Sequence, residues 1–299
     1  MSPAYIPAIL LVSSVLGPGR DVPVPKSDAF AKSWEQVGFR HDLWSSVLAE
    51  HVDEAGLVDY RAVRSDARFR EYLYRLANTN PEKVGDAKAR LAFWINAYNA
   101  LAIQGVLETL PSDPTEWPRY SVLDVAIPGV REQGKGFFRG LRFMIGGRRY
   151  TLDEIEQAML LQKPQWVAED AAFYRSAGVG RPDPRTHFAL VCAAKGCVKL
   201  RREAYEAAEI DAQLDDAVRG FTRDRQRVVF DLRSRTMRIS LLLDWYREDL
   251  TNPRYRPHAA SVSEFLSRYV DDSELARSLA EDRWDTTYIG YDWKLNLQR

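Results

Sequence analysis

Residues 91–103 read LAFWINAYNALAI, inside a longer segment that runs from Asp86 to Leu110 and stops at Pro111. No proline interrupts it, and the run from Leu91 to Ile103 is apolar nearly all round. That pattern predicts a long helix buried on every side rather than lying on a surface. Two amides, Asn96 and Asn99, sit on one side of this helix. A buried amide is kept only where its hydrogen bonds are met, so these residues orient a histidine, line an oxyanion or substrate site, or tie neighbouring loops to the helix.

Upstream, Trp44, Val47, Leu48 and Val52 recur at helical spacing from about Asp42 until Gly56. An extended piece at Leu57–Tyr60 follows, and Phe69, Tyr72, Leu73 and Leu76 mark another amphipathic helix. Downstream, Ser121 to Ile127 reads as a short strand. Arg142–Ile145 and Arg148–Tyr150 flank Gly146 and Gly147, a pair suited to a two-residue hairpin turn. Thr151 and Glu154 form a capping box that opens a helix to about Leu161. Arg185 to Ala193 reads as a buried strand, Arg202 to Phe221 as a helix, and Val228–Phe230 with Met237–Ile239 as a second hairpin, with helices from Leu241 onward. Helices outnumber strands and the strands come in hairpins, so the expected class is α+β, a helix-rich single domain over residues 26–299 with a small, mostly antiparallel sheet.

Lys and Arg total 42 against 42 Asp and Glu, which gives no net charge and argues against nucleic acid as a partner. Residues 1–25 read as a signal peptide and Pro-rich linker: the uncharged apolar run to Gly17 is too short to span a bilayer but has the length of an export signal. No later segment is long and apolar enough for a membrane helix. A periplasmic or otherwise exported protein is expected, with no membrane association after processing.

The densest chemistry lies in residues 185–202, RTHFALVCAAKGCVKLRR, which hold both cysteines of the chain. Cys192 and Cys197 could close a small disulfide loop, contribute two ligands to a metal, or divide into one reactive and one buried thiol. Strand alternation would turn His187 away from Cys192 and weakens a zinc site, so no metal and no cofactor are expected. Cys197, beyond the strand and near Lys195, Lys199, Arg201 and a helix start, is expected to have a lowered pKa and to be the nucleophile, with Cys192 shielded in the core. His187 is the candidate base. Glu156, on the apolar stripe of Leu152, Ile155 and Met159, needs a partner; His187 and an arginine both qualify.

Five blocks carry a resemblance: FWINAYNA at 93–100, YTLDEIE at 150–156, HFALVCAAKGC at 187–197, LDWY at 243–246 and YDWKLN at 291–296. In this order they resemble the signatures of the domain of unknown function 547 family, over about His41 to Asn296. Many bacterial members carry export signals. The family usually has proline after the second cysteine, where this chain has Val198. The Cys, His and acid content resembles a thiol hydrolase or transferase of the broad papain-like type, including enzymes that act on glutathione and γ-glutamyl peptides. The resemblance therefore implies catalysis by Cys197, His187 and Glu156, with Asn96 and Asn99 near substrate. The alternative is a non-catalytic module that binds a small peptide or small-molecule thiol.

Overall fold

The computed structural model describes residues 19–26 and 39–298, apart from 131, 133 and 282. The long helix is present as Ala87–Thr109, opened by the Asp86 side chain accepting from the Ala89 amide. It ends just before Pro111, and every residue from Leu91 to Val106 is buried. Its polar side chains hold irregular backbone. Asn96 bonds both the amide and the carbonyl of Tyr205, at 3.0 and 2.8 Å. Asn99 does the same for the Val191 amide and Ala189 carbonyl, each at 2.9 Å. Gln104 donates to Pro23 at 2.8 Å. Each amide thus replaces a peptide group for a segment that has no sheet or helix partner of its own.

The class is α+β, but the strands form two small mixed sheets in place of one mostly antiparallel sheet. In the first, β1 (Arg20–Asp21) runs parallel to β2 (Leu141–Ile145), which pairs antiparallel with β3 (Arg148–Tyr150). In the second, β4 (Val228–Asp231) and β5 (Thr236–Ser240) form the expected hairpin, and β6 (Asp285–Ile289) joins β5 in parallel. Each sheet is a hairpin plus a distant third strand, which local periodicity cannot reveal. The export signal expected at the start of the chain falls largely on residues 1–18, outside the described residues. Its Pro-rich continuation packs on the fold: Val22 is buried and its amide donates to Arg142 at 2.8 Å.

Three other expectations change. Ser121–Ile127 is no strand; Ser121 caps a 3-10 turn at Val122–Asp124. The helix expected from Arg202 begins at Ile210, because Tyr205 is held by Asn96, and Glu206 and Ala204 by Gln213. The apolar run at 185–193 is buried but not extended: Asp183 caps a 3-10 turn over Pro184–Phe188, and the Ala189 and Leu190 amides turn back to Thr186. Burial made this run apolar, and the Asn99 clamp meets the backbone demand that a strand neighbour would otherwise meet. No helix of the described residues is long and apolar enough to cross a membrane.

The first hairpin turn docks on a helix end. Gly146 and Gly147 donate to Leu76 and Ala77, carbonyls of the last turn of the helix Ala67–Asn78. Both glycines have positive φ, but a Cβ on Gly146 would lie 2.5 Å from the Thr79 carbonyl oxygen, whereas one on Gly147 meets nothing. Gly147→Ala should cost about 1 kcal/mol in urea unfolding through left-handed strain alone, and Gly146→Ala about 2 kcal/mol or more, with the clash added. Equal losses would contradict the docking.

Candidate functional site

His187 is the last residue but one of the 3-10 turn and is 2% exposed. Its Nε2 lies 3.0 Å from Asp249 Oδ2, which also pairs with Lys163 Nζ at 3.2 Å. Burial disfavours the Asp249 charge, but the hydrogen bonds and charges of His187 and Lys163 outweigh it and hold its pKa below the ordinary carboxylate range. Burial lowers the His187 pKa, so the ring is neutral near pH 7. This network assigns the proton to Nε2, facing Asp249. The bare Nδ1 is buried without a hydrogen-bond partner, 3.8 Å from Glu156 Oε1. Tyr246 covers the ring face, stacked at 3.5 Å between centroids.

Glu156 reaches this position through a change of helical pitch. The predicted capping box of Thr151 and Glu154 is present, but after three α-helical residues the chain widens into a π-turn over Ile155–Leu160. Such turns re-aim side chains and gather at functional sites. Leu152, Ile155 and Met159 are fully buried, as their spacing requires, and Glu156 is buried beside them. Burial pushes its pKa up to about 8, with the charges of Asp153 and Asp249 adding to the effect. Near neutral pH the site therefore holds a protonated carboxyl facing a neutral imidazole. His187 donates its hydrogen bond to Asp249, and Glu156 takes no part in it.

The cysteines are both free and touch each other, Sγ to Sγ 2.9 Å. The Cys192 amide donates to Cys197 Sγ at 3.2 Å, and the Tyr291 hydroxyl lies 2.8 Å from Cys192 Sγ. Burial opposes a Cys197 thiolate, but the Cys192 thiol and amide, the Tyr291 hydroxyl and the Arg227 charge lower its pKa to about 7. The same contact, with burial, pushes Cys192 well up. The lowered Cys197 pKa was expected, but Lys195, Lys199 and Arg201 are not its source: the two lysines are exposed and Arg201 is paired with Glu203 and Asp216. Exposure is also reversed from the expectation. Cys197 is 2% exposed and Cys192 is the half-buried residue, because the alternation that assigned them applies only to a strand.

His187 makes no hydrogen bond to either sulfur. Tyr246 and Tyr98 lie near both Glu156 and the sulfurs: their ionisation is opposed first by burial and then by charge on Glu156 and both sulfurs. Asn96 and Asn99 are buried, and their amides are engaged by backbone. Asp249, Lys163, Tyr246 and Tyr291 escaped the sequence reading. Tyr246 and Tyr291 lie inside two of the resembling blocks, and Asp249 follows Tyr246 by three residues, a helical spacing that could have flagged it.

Glu50, His51 and Asp66 place one ligand atom each within 4.8 Å of one another. Arg68 already bridges Glu50 and Asp66 at 2.6 Å each, so this cluster is an ion-pair network rather than a cation site. A surface cleft of about 550 Å³ is lined by Arg20, Glu108, Arg119 and Tyr120, away from the thiols. Another, of about 350 Å³, is lined by Phe188, Val198 and Arg227 and by neither cysteine.

Fold and cluster together define an α+β protein whose buried centre joins two free thiols, a neutral imidazole and a protonated carboxyl. Residues 82–222 match the family described as Protein of unknown function, DUF547. The match takes in the blocks at 93–100, 150–156 and 187–197, while those at 243–246 and 291–296 lie beyond it. No curated protein and no solved structure matches the chain.

Glu156 generates a pH signature. Folded, the carboxyl keeps its proton up to about pH 8; unfolded, it loses it near 4.5, so its contribution to stability falls as pH rises between those values. Glu156→Gln should flatten the fall seen in chemical denaturation and be the more stable protein at pH 8, by about 2–4 kcal/mol. Parallel pH profiles for the two proteins would contradict the buried protonated carboxyl.

Proposed function

We propose that this chain is an exported thiol-dependent hydrolase or acyl transferase acting on a small peptide or glutathione-like substrate. The observation that carries the reading is the Cys197 sulfur, free of any disulfide and drawn toward ionisation near neutral pH by the Cys192 amide and thiol. The thiolate attacks an amide or thioester carbonyl and forms a thioester as the leaving group departs. Glu156, protonated near neutral pH, gives the leaving group its proton, and the bare Nδ1 of His187 draws a proton from the incoming water or acceptor. Asp249 fixes the imidazole tautomer, the role first expected of Glu156. Asn96 and Asn99 act here by positioning backbone.

A second reading, a non-catalytic module for a small peptide or thiol compound, is favoured by one observation. His187 has no hydrogen bond to sulfur, whereas half-buried Tyr291, which touches Cys192, packs with Trp245 and Trp293 at 4.9 and 4.5 Å. Such a group of rings suits binding as well as catalysis.

One experiment separates the two: incubation with an aryl thioester and with a γ-glutamyl anilide, followed by intact-protein mass and product release. The enzyme reading expects an acyl adduct mapped to Cys197 and turnover that rises with pH through about 7. His187→Ala should lower turnover by about 10²–10⁴-fold. Absence of both adduct and turnover, with calorimetric binding of the peptide retained, would overturn it in favour of the binding module.

A further inference from the structure

We propose that Cys192 and Cys197 are a reversible two-electron redox centre that exchanges with the disulfide of a low-molecular-weight thiol. This activity uses the sulfurs of the site above but does not depend on the acyl-transfer reading.

The backbone is already set for it. The sulfurs are in contact at 2.9 Å, and the residues between them form a tight turn with the Cys197 amide donating to Ala194. Ala193 holds a left-handed φ of 58° at its start. The C-terminal segment pins the turn from outside: the Lys195 and Gly196 amides donate to Lys294 and Asp292, each at 2.8 Å. A Cβ on Gly196 would lie 2.6 Å from the Asp292 nitrogen, so only glycine permits this approach. A pair held in this way can close its bond with little backbone movement.

Exposure assigns the two roles. Cys192 is the more exposed residue of the pair, half-buried where Cys197 is 2% exposed, and this assigns it the first contact with an incoming disulfide. Transfer of the shared proton across the sulfur contact to Cys197 leaves Cys192 as the thiolate. Cys192 attacks one sulfur of the small disulfide RSSR, a mixed disulfide forms, and RS⁻ leaves, taking up a proton. Cys197, ionised again, attacks Cys192 Sγ and expels the second RS⁻. The protein dithiol is oxidised by two electrons, RSSR is reduced, and the hydrogens of the pair, one of them drawn back from solvent, appear on two RSH. The Tyr291 hydroxyl, 2.8 Å from Cys192 Sγ, donates to that sulfur while it is the thiolate. The readiness of buried Cys197 to ionise keeps the mixed disulfide short-lived.

The test equilibrates the full chain with mixtures of glutathione and glutathione disulfide, quenches with acid and reads intact mass. Wild type should lose the mass of two hydrogens, regain it in excess glutathione, and carry a bound glutathione on less than roughly a tenth of the chains. Cys197→Ser should stop with one glutathione on Cys192, and Cys192→Ser should take up glutathione at least about tenfold more slowly. A wild type that stays reduced in excess glutathione disulfide, or that holds a lasting glutathione adduct, overturns the proposal without reference to either variant. A chain that cycles its disulfide but forms no acyl adduct would sink only the acyl-transfer reading, and the converse result would sink only this one.

Discussion

The backbone between His187 and Cys192 depends on the side-chain amide of Asn99. With one oxygen and one nitrogen it satisfies the Val191 amide and the Ala189 carbonyl inside the core. Those groups belong to a segment with His187 just before them and Cys192 just after. Without the clamp, buried peptide groups in this segment would go unpaired, at about 1–3 kcal/mol each, or the segment would have to leave the core. Because the helix that bears Asn99 is buried along sixteen consecutive residues, from Leu91 to Val106, the clamp is anchored inside the core. The position of both sulfurs and of the imidazole follows from it.

Around that anchor, low polarity decides which groups are charged. Asp249 is buried and still ionised because His187 and Lys163 both bond it. Glu156, buried nearby with Gln157 as its hydrogen-bond donor, keeps its proton instead, because burial outweighs the charges of Lys163 and Lys135. Two carboxyls of ordinary chemistry are thus driven apart by their partners, the arrangement that divides acid from base in catalytic sites. The sulfur pair follows the same rule. The sulfur that receives the amide and thiol donors ionises readily, and its neighbour holds on to its proton.

Much of this was legible in the sequence where a local pattern was enough. The central helix, both hairpins, the capping box and the burial of Glu156 follow from periodicity and turn chemistry, and the structure contains each of them. What escaped depends on distant partners. β1 and β6 join their sheets across about 120 and about 50 residues. The stretch 185–193 has the composition of a strand but no strand to pair with, since Asn99 and Thr186 take its backbone groups. That misreading propagated: with the alternation gone, the shielded and accessible cysteines exchange places. The acid that bonds His187 lies 62 residues downstream, where no spacing rule around the cysteines would search.

The central claim is that one buried amide sets the geometry that lets Cys197 ionise. It is tested most directly by the pH dependence of alkylation at Cys192 and Cys197, mapped by mass spectrometry in wild type and in Asn99→Ala. The account predicts a wild-type inflection near pH 7, owed to the sulfur pair, that moves upward once the clamp is removed. A wild-type inflection at about 8.5, the value of a free thiol, or one that Asn99→Ala leaves in place, would contradict it.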